Sequence, residues 1–253
     1  MRNLRLVMAA VVSCLLALPA LAADAPPGTL AQIFVQKLKP GAQAQYEGGR
    51  KKHMDWHRKQ ADAWEWSTWE ILTGPRTGEF LVGSFGHHWK DFDGRGAFEE
   101  KDAADAVANM GASEESSTMA FFDYQPNLSL PGEGPLPAAM SQVAHYFVTL
   151  EGLIDFQDAI KKANAAIKKS HYPSHPMWYR LTSGGEGPHF VGVQVRKTWA
   201  EFEPPEKTLQ DMLTEVYGKI EGPATLAKFR KQIRYVETEI LRYRPDLSYV
   251  PGK

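Results

Sequence analysis

One predicted helix carries the residues best suited to chemistry, namely Arg50, His53 and His57. Spacings of three and four place these side chains on one helix face. Two imidazoles four residues apart can bind one metal ion, and a single imidazole can act as a general base near neutral pH. A guanidinium can hold a carboxylate or phosphate group of a ligand. His53 and His57 are therefore the candidate catalytic residues and metal ligands, and Arg50 is a candidate ligand-binding residue.

The chain repeats itself, which supplies an internal comparison for that helix. A shift of 110 residues places Trp89 on Trp199, and near the end of each copy a shift of 119 places residues 124–129 on 243–248. A repeat of about one hundred residues indicates a duplicated small domain, because solenoid units are about 20 to 50 residues long.

The two copies differ on the inward face of their first helix. The second copy has an ordinary apolar stripe there, whereas the first copy has titratable side chains at the aligned positions. Burying a polar group without a hydrogen bond costs roughly 1–3 kcal/mol, so these side chains need partners. The first copy is therefore predicted to have a site and the second to serve as scaffold. The aligned stripes are Phe156, Ala159, Ile160, Ala163, Ala166 and Ile167 in the second copy, and Tyr46, Gly49, Arg50, His53, Trp56 and His57 in the first.

The third strand of the first copy is predicted to form the opposite wall of this site. Leu81, Gly83 and Phe85 are assigned to the helix-facing side, where Gly83 replaces the Val193 of the second copy and leaves space. By strand alternation His87 falls on that same side. The complete set of predicted ligand-binding residues is Arg50, Trp56, Trp69, His87 and Tyr124.

At two aligned positions, an acidic residue in the first copy is replaced by a basic residue in the second. We call these the charge exchanges, and they indicate where the two halves contact each other. Glu70 aligns with Arg180, and Asp123 aligns with Arg242, on the sheet face expected to meet the other half. One interpretation is ion pairing across the pseudo-twofold axis, which favours two unlike halves over like-with-like association. The alternative is an anion site around Arg180, Arg242 and Arg196, because buried guanidinium groups need a carboxylate or a ligand.

The remaining polar residues are assigned to surface or structural roles. Residues 99–105 are interpreted as a solvated helix face. The histidines of the second copy are interpreted as structural or surface residues: His145, His171, His175 and His189.

Both copies have the predicted order βαββαβ. A glycine-rich turn joins the second and third strands, which indicates a hairpin. The predicted elements of the first copy are strand 32–38, helix 42–61, strands 64–72 and 79–87, helix 98–109 and strand 118–124. Those of the second copy are strand 143–150, helix 153–169, strands 177–182 and 189–196, a helix over 207–232 broken at Gly222-Pro223, and strand 238–243.

This order, with the aromatic segments 89–92 and 199–202 after each third strand, resembles the dimeric α/β-barrel superfamily. That superfamily includes antibiotic-biosynthesis-type monooxygenases, NIPSNAP-like proteins and relatives of chlorite dismutase. The resemblance implies an α+β fold of two tandem ferredoxin-like halves that form the dimeric barrel within one chain. It also implies a substrate or haem site between the helices and the sheet of one half.

The N-terminus predicts export. Arg2 and Arg5 precede an apolar run and an Ala20-Leu21-Ala22 pattern, which is typical of a signal peptide cleaved near Ala22. The run is too short for a membrane span. Cys14, the single cysteine, lies within it and leaves open a lipoprotein signal as the alternative. We expect a periplasmic or secreted protein without a membrane span.

The rest of the chain divides into a first half (23–128), a proline-rich linker (129–140) and a second half (141–253). The formal charge of −1 becomes −3 when the two signal-peptide arginines are removed. Such a charge gives no electrostatic footprint for nucleic acid. A monomer and a homodimer are both compatible with the sequence.

The function expected from these observations is the binding of a small, planar aromatic ligand at one site in the first half. Oxidative conversion of that ligand is the enzymatic version of this hypothesis. The cofactor is left open between haem, a divalent metal ion and none, with His53 or His57 as the haem ligand in the first case. The alternative is a non-catalytic interaction module that uses the charged face between the halves.

Overall fold

The computed structural model describes residues 27–133 and 136–252. The predicted signal peptide and Cys14 lie outside the described residues, and their assignment stays a prediction. Among the residues described, no helix is both long and apolar enough to cross a membrane.

Each half contains four strands and two long helices in the predicted order, with one additional short helix, α2, in the first half. The elements of the first half are β1 (Leu30–Leu38), α1 (Gln43–Lys59), β2 (Ser67–Ile71), β3 (Phe80–His87), α2 (Trp89–Asp93), α3 (Gly96–Met110) and β4 (Glu114–Tyr124). Those of the second half are β5 (Met140–Val148), α4 (Leu153–Ser170), β6 (Met177–Ser183), β7 (His189–Arg196), α5 (Leu209–Lys231) and β8 (Ile233–Tyr243).

The eight strands form one closed antiparallel barrel in the order β1-β3-β2-β8-β5-β7-β6-β4, with β4 paired to β1. Two seams join the halves, one between β2 and β8 and one between β4 and β6. The predicted α+β fold, an intrachain dimeric barrel of two βαββαβ halves, is thus the observed fold.

Most predicted bounds lie within three residues of the observed ones, and two differences are larger. The last strands begin four to five residues earlier than expected, at Glu114 and Ile233. Helix α5 is interrupted at Gly218, which has a left-handed φ of 85°, and not at Gly222-Pro223 as predicted. Proline is tolerated in the first turn of a helix, so Pro223 fits near the start of the segment that follows Gly218.

The predicted facing of the third strand was wrong. Phe80 and Phe190 point toward the helices, where Phe80 packs on Tyr46 and Phe190 packs on Phe156. Leu81, Gly83 and Phe85 instead face the barrel interior; an added Cβ at Gly83 would meet the Phe85 and Ile33 side chains within 3 Å. Gly83 therefore opens no space beside the helices.

His87 nevertheless reaches the helix side, because the strand is irregular at Gly86. The β1–β3 register shifts between Leu30 and Ala31, and Gly86 adopts a left-handed φ of 83°. One extra residue in a bulge reverses the alternation that follows it. His87 thus accompanies Ser84, with 2.7 Å between its Nε2 and the Ser84 hydroxyl.

The two charge exchanges lie at the two seams. Glu70 is the register partner of Arg242, and their side chains form an ion pair of 2.7 Å. Asp123 is the register partner of Arg180. The prediction of pairing across the pseudo-twofold axis is confirmed for Glu70 and Arg242. The expected face was wrong, because the neighbouring residue Trp69 faces the barrel interior and Glu70 therefore faces outward.

The alternative anion site around three arginines is not assembled. Arg196 lies opposite Met140, whereas Arg180 lies opposite Phe190, six residues away along β7. At about 3.3 Å per residue, this separates the two by roughly 20 Å. The guanidinium of Arg196 bonds to the Gln142 and Gln194 amides instead.

Each half ends in a short tail that packs on the other half. The tail after β4 presents the Leu128 carbonyl, which accepts a hydrogen bond of 2.7 Å from Asn164 on α4. The tail after β8 presents the Leu247 carbonyl, which accepts one of 3.2 Å from Arg50 on α1. Both leucines are buried. The first helix of each half is therefore held by the end of the other half.

The face assignment predicts different costs for two adjacent truncations. Phe80→Ala removes a fully buried ring between β3 and α1 and should lower the free energy of unfolding by about 3–5 kcal/mol. Leu81→Ala affects a partly exposed side chain on the barrel interior and should cost about 1 kcal/mol. Urea denaturation of both variants measures the difference. Equal costs, or a larger cost for Leu81→Ala, would contradict the assignment.

Candidate functional site

His53 and His57 lie on the buried face of α1, between this helix and α3. Their exposed fractions are 3% and 1%. The third member of the group is Asp102, which reaches them from α3. We call His53, His57 and Asp102 the histidine cluster.

The three ligand atoms of the histidine cluster form a nearly equilateral triangle. The two Nε2 atoms are 3.3 Å apart, and Asp102 Oδ1 lies 3.2 Å from His53 Nε2 and 3.1 Å from His57 Nε2. Ligands about 2.0–2.1 Å from a tetrahedral metal ion are separated by about 3.3 Å, and those on one face of an octahedron by about 3.0 Å. The triangle therefore has the dimensions of one face of a metal coordination sphere.

The other ring nitrogen of each histidine contacts a further carboxylate. His53 Nδ1 lies 2.8 Å from Asp105, and His57 Nδ1 lies 2.9 Å from Asp62. A carboxylate at Nδ1 favours a proton on that nitrogen and leaves Nε2 as a lone-pair donor. Both imidazoles are thus oriented as metal-binding histidines usually are.

These tautomers create an electrostatic conflict that a cation resolves. With both Nδ1 atoms protonated, two Nε2 lone pairs and the Asp102 carboxylate meet at one point. Asp102 Oδ1 is buried there and receives no well-directed hydrogen bond from the described residues. Three carboxylates contact the imidazoles, and one of them, that of Asp62, is paired with the guanidinium of Arg95. Either protons or a divalent cation must offset the remaining negative charge.

Asp62 fixes the position of His57 and of the loop after α1. Besides His57 Nδ1, its carboxylate accepts hydrogen bonds from the Trp66 indole at 3.0 Å and the Trp64 amide at 3.1 Å. Arg95 donates to both carboxylate oxygens, at 2.8 and 3.2 Å, in the bidentate geometry that suits guanidinium and carboxylate groups. Asp62 is fully buried and thereby ties α1, β2 and the start of α3 together.

Aromatic rings enclose the histidine cluster. Trp56 stacks on His53 with ring centroids 6.0 Å apart, and Phe98 lies 5.2 Å from Trp56. Tyr249, from the C-terminal tail, stacks on His57 at 5.7 Å and donates a hydrogen bond to the Asp62 carbonyl. The second half therefore supplies one wall of the site in the first half.

Arg50 is close to the cluster in sequence but is engaged elsewhere. Its guanidinium donates to the Leu247 carbonyl and to the Thr68 hydroxyl, both at 3.2 Å. Burial lowers its pKa. Arg50 thus anchors the C-terminal tail. Its predicted role in ligand binding stays a prediction, and a ligand would have to compete with the Leu247 carbonyl and the Thr68 hydroxyl for the guanidinium.

The other predicted site residues separate into two groups. His87 is buried beside the site, stacked on Trp64 at 3.7 Å, and burial lowers its pKa to about 4. Trp69 and Tyr124 instead face the barrel interior, where they contact Tyr243 and Tyr179. The structure therefore brings together His53, Trp56 and His57, places His87 nearby, and separates Trp69 and Tyr124 from them by the thickness of the sheet.

Asp102 and Asp105 were missed by the sequence prediction, which treated residues 99–105 as a solvated helix face. Both aspartates turn toward α1 and contact His53. Their spacing of three residues places them on one face of α3, and this pattern is the signal that the sequence offered. Asp62 lies in a loop and carried no such pattern.

Burial and charge act in opposite directions on the titratable groups. Burial, the largest single influence, lowers the pKa of His57, but the Asp102 and Asp62 carboxylates together raise it above its ordinary value. Burial raises the pKa of Asp102 and of Asp62, whereas their histidine partners, and for Asp62 also Arg95, hold both pKa values well below the usual range. The metal-free site thus favours ionised carboxylates and a protonated His57.

Comparisons with known proteins support the fold. A protein assigned as a monooxygenase from Lactobacillus acidophilus NCFM has a TM-score of 0.52 at 9% identity, covering 89% of this chain and 97% of that chain. An anthrone oxidase-like protein has a TM-score of 0.56 at 14% identity, covering 89% and 94%. A chlorite dismutase from Candidatus Nitrospira defluvii has a TM-score of 0.51 at 10% identity, covering 87% and 92%. No family model and no curated protein sequence matches the chain. These similarities show the dimeric α/β-barrel fold.

Haem does not fit the histidine cluster. Axial ligation needs a free imidazole nitrogen with open space before it. Here Nε2 of each histidine faces Asp102 and Nδ1 of each faces another aspartate, within the packed layer between α1 and α3. A small ion can occupy the triangle without moving these helices, whereas a porphyrin cannot.

Asp62→Ala should destabilise the protein by about 3 kcal/mol, because it removes the bidentate partner of the mostly buried Arg95 guanidinium, which keeps only the longer contact with Glu99 at 3.9 Å. The matched control is Asp55→Ala, which removes an exposed carboxylate on α1 that pairs with Arg58; its effect should stay within about 0.5 kcal/mol. Chemical denaturation of the two variants tests this difference. Similar losses in both would show that the Asp62 contacts contribute little.

The histidine cluster of the metal-free protein should stabilise the fold most between about pH 4 and 6.5. The raised pKa of His57 gives a stabilisation that is complete below its unfolded value of 6.5 and is lost as the pH rises through the folded value. The lowered pKa values of Asp62 and Asp102 give a stabilisation that is present above 3.8 and is lost as the pH falls through their folded values. Thermal melts of the unmodified protein and of His57→Ala, compared at each pH in the presence of a chelator, separate this contribution from those of His87 and His189, whose lowered pKa values act in the opposite direction below pH 6.5.

In His57→Ala, stability should decline less as the pH rises above about 6.5. In His171→Ala, which changes an exposed residue, the dependence of stability on pH should be unchanged. A stability difference between the unmodified protein and His57→Ala that grows as the pH rises from 6 to 8 would contradict the assigned direction for His57.

Proposed function

We propose that this chain is an exported protein whose first half binds one divalent first-row transition-metal ion through His53, His57 and Asp102. The observation that carries the proposal is the triangle of two imidazole nitrogens and one carboxylate oxygen, with edges of 3.1 to 3.3 Å, in a buried layer. The carboxylates at both Nδ1 atoms support it, because outer partners of this kind orient metal-binding imidazoles.

The donor set limits the identity of the metal. Two imidazoles and one carboxylate suit zinc, and they are also the set with which non-haem iron(II) oxygenases hold their metal. Calcium and magnesium prefer sites made of oxygen atoms only. Three protein ligands leave further coordination positions for water or a substrate atom, as in catalytic metal sites. The fold is shared with oxidising enzymes, so an oxygenase-type reaction is the activity to test first.

Metal binding also accounts for the contrast between the halves. At the positions of His53 and His57 the second half has Ala163 and Ile167, which form part of its apolar core. A polar network inside a protein is costly when it is only partly satisfied. A bound cation would complete the network in the first half.

The test is metal titration of the mature protein, residues 23–253, after treatment with a chelator. Isothermal titration calorimetry with zinc and, without oxygen, with iron(II) should give one site, and elemental analysis should give one equivalent after gel filtration. His53→Ala, His57→Ala and Asp102→Asn should each weaken binding at least 100-fold, and Asp105→Asn about 10- to 100-fold.

Two exposed residues provide controls. Glu100→Gln changes a carboxylate on α3 next to the site region, and His171→Ala changes a histidine at the end of α4; both should bind metal as the unmodified protein does. A folded protein that takes up no transition metal, or that loses no affinity in Asp102→Asn, would refute the proposed site.

A further inference from the structure

The closed barrel surrounds a cavity of about 630 Å³, which we call the lumen. Eight-stranded barrels are just wide enough to be filled by side chains or to hold one small ligand. Here the filling is incomplete because several inward positions carry short side chains: Ala31, Ser67, Thr118, Ala120 and Ser141.

Exposure of the inward side chains confirms that the lumen is hollow. Phe85 points inward and is still 43% exposed. Leu81, Val193 and Val195 also line the lumen and are only partly buried. Apolar surface left open inside a barrel is unfavourable unless something covers it, and this volume lies within the range of small-molecule sites.

The wall of the lumen is apolar and rich in aromatic rings at both ends. Trp69, Phe85 and Tyr179 form one group, with Phe85 6.0 Å from Trp69 and 6.3 Å from Tyr179. At the other end Phe147 stacks between His189 at 4.3 Å and Tyr235 at 4.2 Å. Flat aromatic faces of this kind suit a planar ring system, which gains from offset stacking and edge contacts as well as from burial.

One end of the lumen also carries a polar network. His145 joins His189 at 3.1 Å and Glu239 at 3.0 Å, and Glu239 pairs with Arg76. Burial lowers the pKa of His189 to about 4, so this imidazole is uncharged at neutral pH. The two histidines were predicted to be structural or surface residues of the second half, whereas both line the lumen.

The charges around the lumen disfavour an anion. Its charged lining consists of Glu65, Glu186, Glu237 and Arg76. Arg76 is paired with Glu239 and Glu186 with Arg234, which leaves the carboxylates of Glu65 and Glu237. A carboxylate or sulfonate in an apolar lumen would lose its hydration and would meet mostly negative neighbours. A cation would lose its hydration to the same apolar walls.

From these observations we infer that the lumen binds an uncharged planar aromatic molecule, whose rings lie between the two aromatic groups and whose hydroxyl or carbonyl group meets the His145–His189 end. This site is separate from the histidine cluster, because it lies on the opposite face of the sheet. Trp66, directly before β2, contacts His57, whereas the next residue, Ser67, lines the lumen. The inference therefore stands whether or not the first half binds metal.

The test uses two probes that share one ring framework. N-phenyl-1-naphthylamine is uncharged, and 8-anilinonaphthalene-1-sulfonate is the same framework with a sulfonate. Fluorescence titration of the mature protein should give saturable binding of one equivalent of the uncharged probe and at least tenfold weaker binding of the sulfonate. 2-Naphthol should displace the bound probe, and 2-naphthoate should not.

Two adjacent residues on β4 locate the binding. Thr118 lines the lumen, and Ser117 is exposed on the other face of the strand. Thr118→Trp should fill the lumen and weaken binding of the uncharged probe at least tenfold, whereas Ser117→Trp should leave binding unchanged. Circular dichroism and thermal melts establish folding, and Ala120→Leu replaces Thr118→Trp if that variant does not fold.

Three results would overturn the inference. The first is a folded protein that does not bind the uncharged probe saturably. The second is a filled lumen that binds as well as the unmodified one, and the third is a sulfonated probe that binds as tightly as its uncharged analogue. Because the readout does not involve metal, failure here leaves the metal proposal intact, and the reverse also holds.

Discussion

Closure of the sheet through the two seams between β2 and β8 and between β4 and β6 is the constraint on which the rest of the structure depends. Each half alone has a four-stranded sheet with two unpaired edges, and such edges invite pairing with other chains. Joining the halves removes all four edges and fixes the lumen on one side of the sheet and the helices on the other. The exchange of acid and base at Glu70–Arg242 and Asp123–Arg180 complements each seam, so it favours this pairing over a pairing of identical halves.

The two halves meet the same packing problem with different chemistry. In the second half Phe156 and Ile160 of α4 close the layer beneath the helices by apolar contact. In the first half α1 presents two imidazoles, which are acceptable there because α3 and the loop after α1 supply carboxylates. Such a network specifies geometry more strictly than an apolar core does, since each member needs its partner in place. The first half is therefore specialised at its helices, while the lumen is shared by both halves.

The order of the elements could be predicted from the duplication, because the two copies of the βαββαβ pattern constrain each other. Which face of β3 packs on the helices could not be predicted, because Phe80 and Leu81 are both apolar. Strand alternation separates the two faces without showing which one faces the helices. The bulge at Gly86 then moved His87 to the helix side, which no periodicity encodes. The histidines were identified by contrast with the apolar sister helix. The aspartates of α3 were missed because their partners on α1 are about fifty residues away in sequence. Asp62 was missed because it lies in a loop, where no periodicity marks a buried position.

The exchange of tails gives the chain an order of assembly. Leu247 and Tyr249 pack on α1, although some two hundred residues separate them from it. During synthesis, α1 emerges long before the tail that packs on its buried face, because the whole second half lies between them. The face of the His57 ring that Tyr249 covers stays open until that tail arrives. The delay before this face is covered is thereby set by the length of the second half.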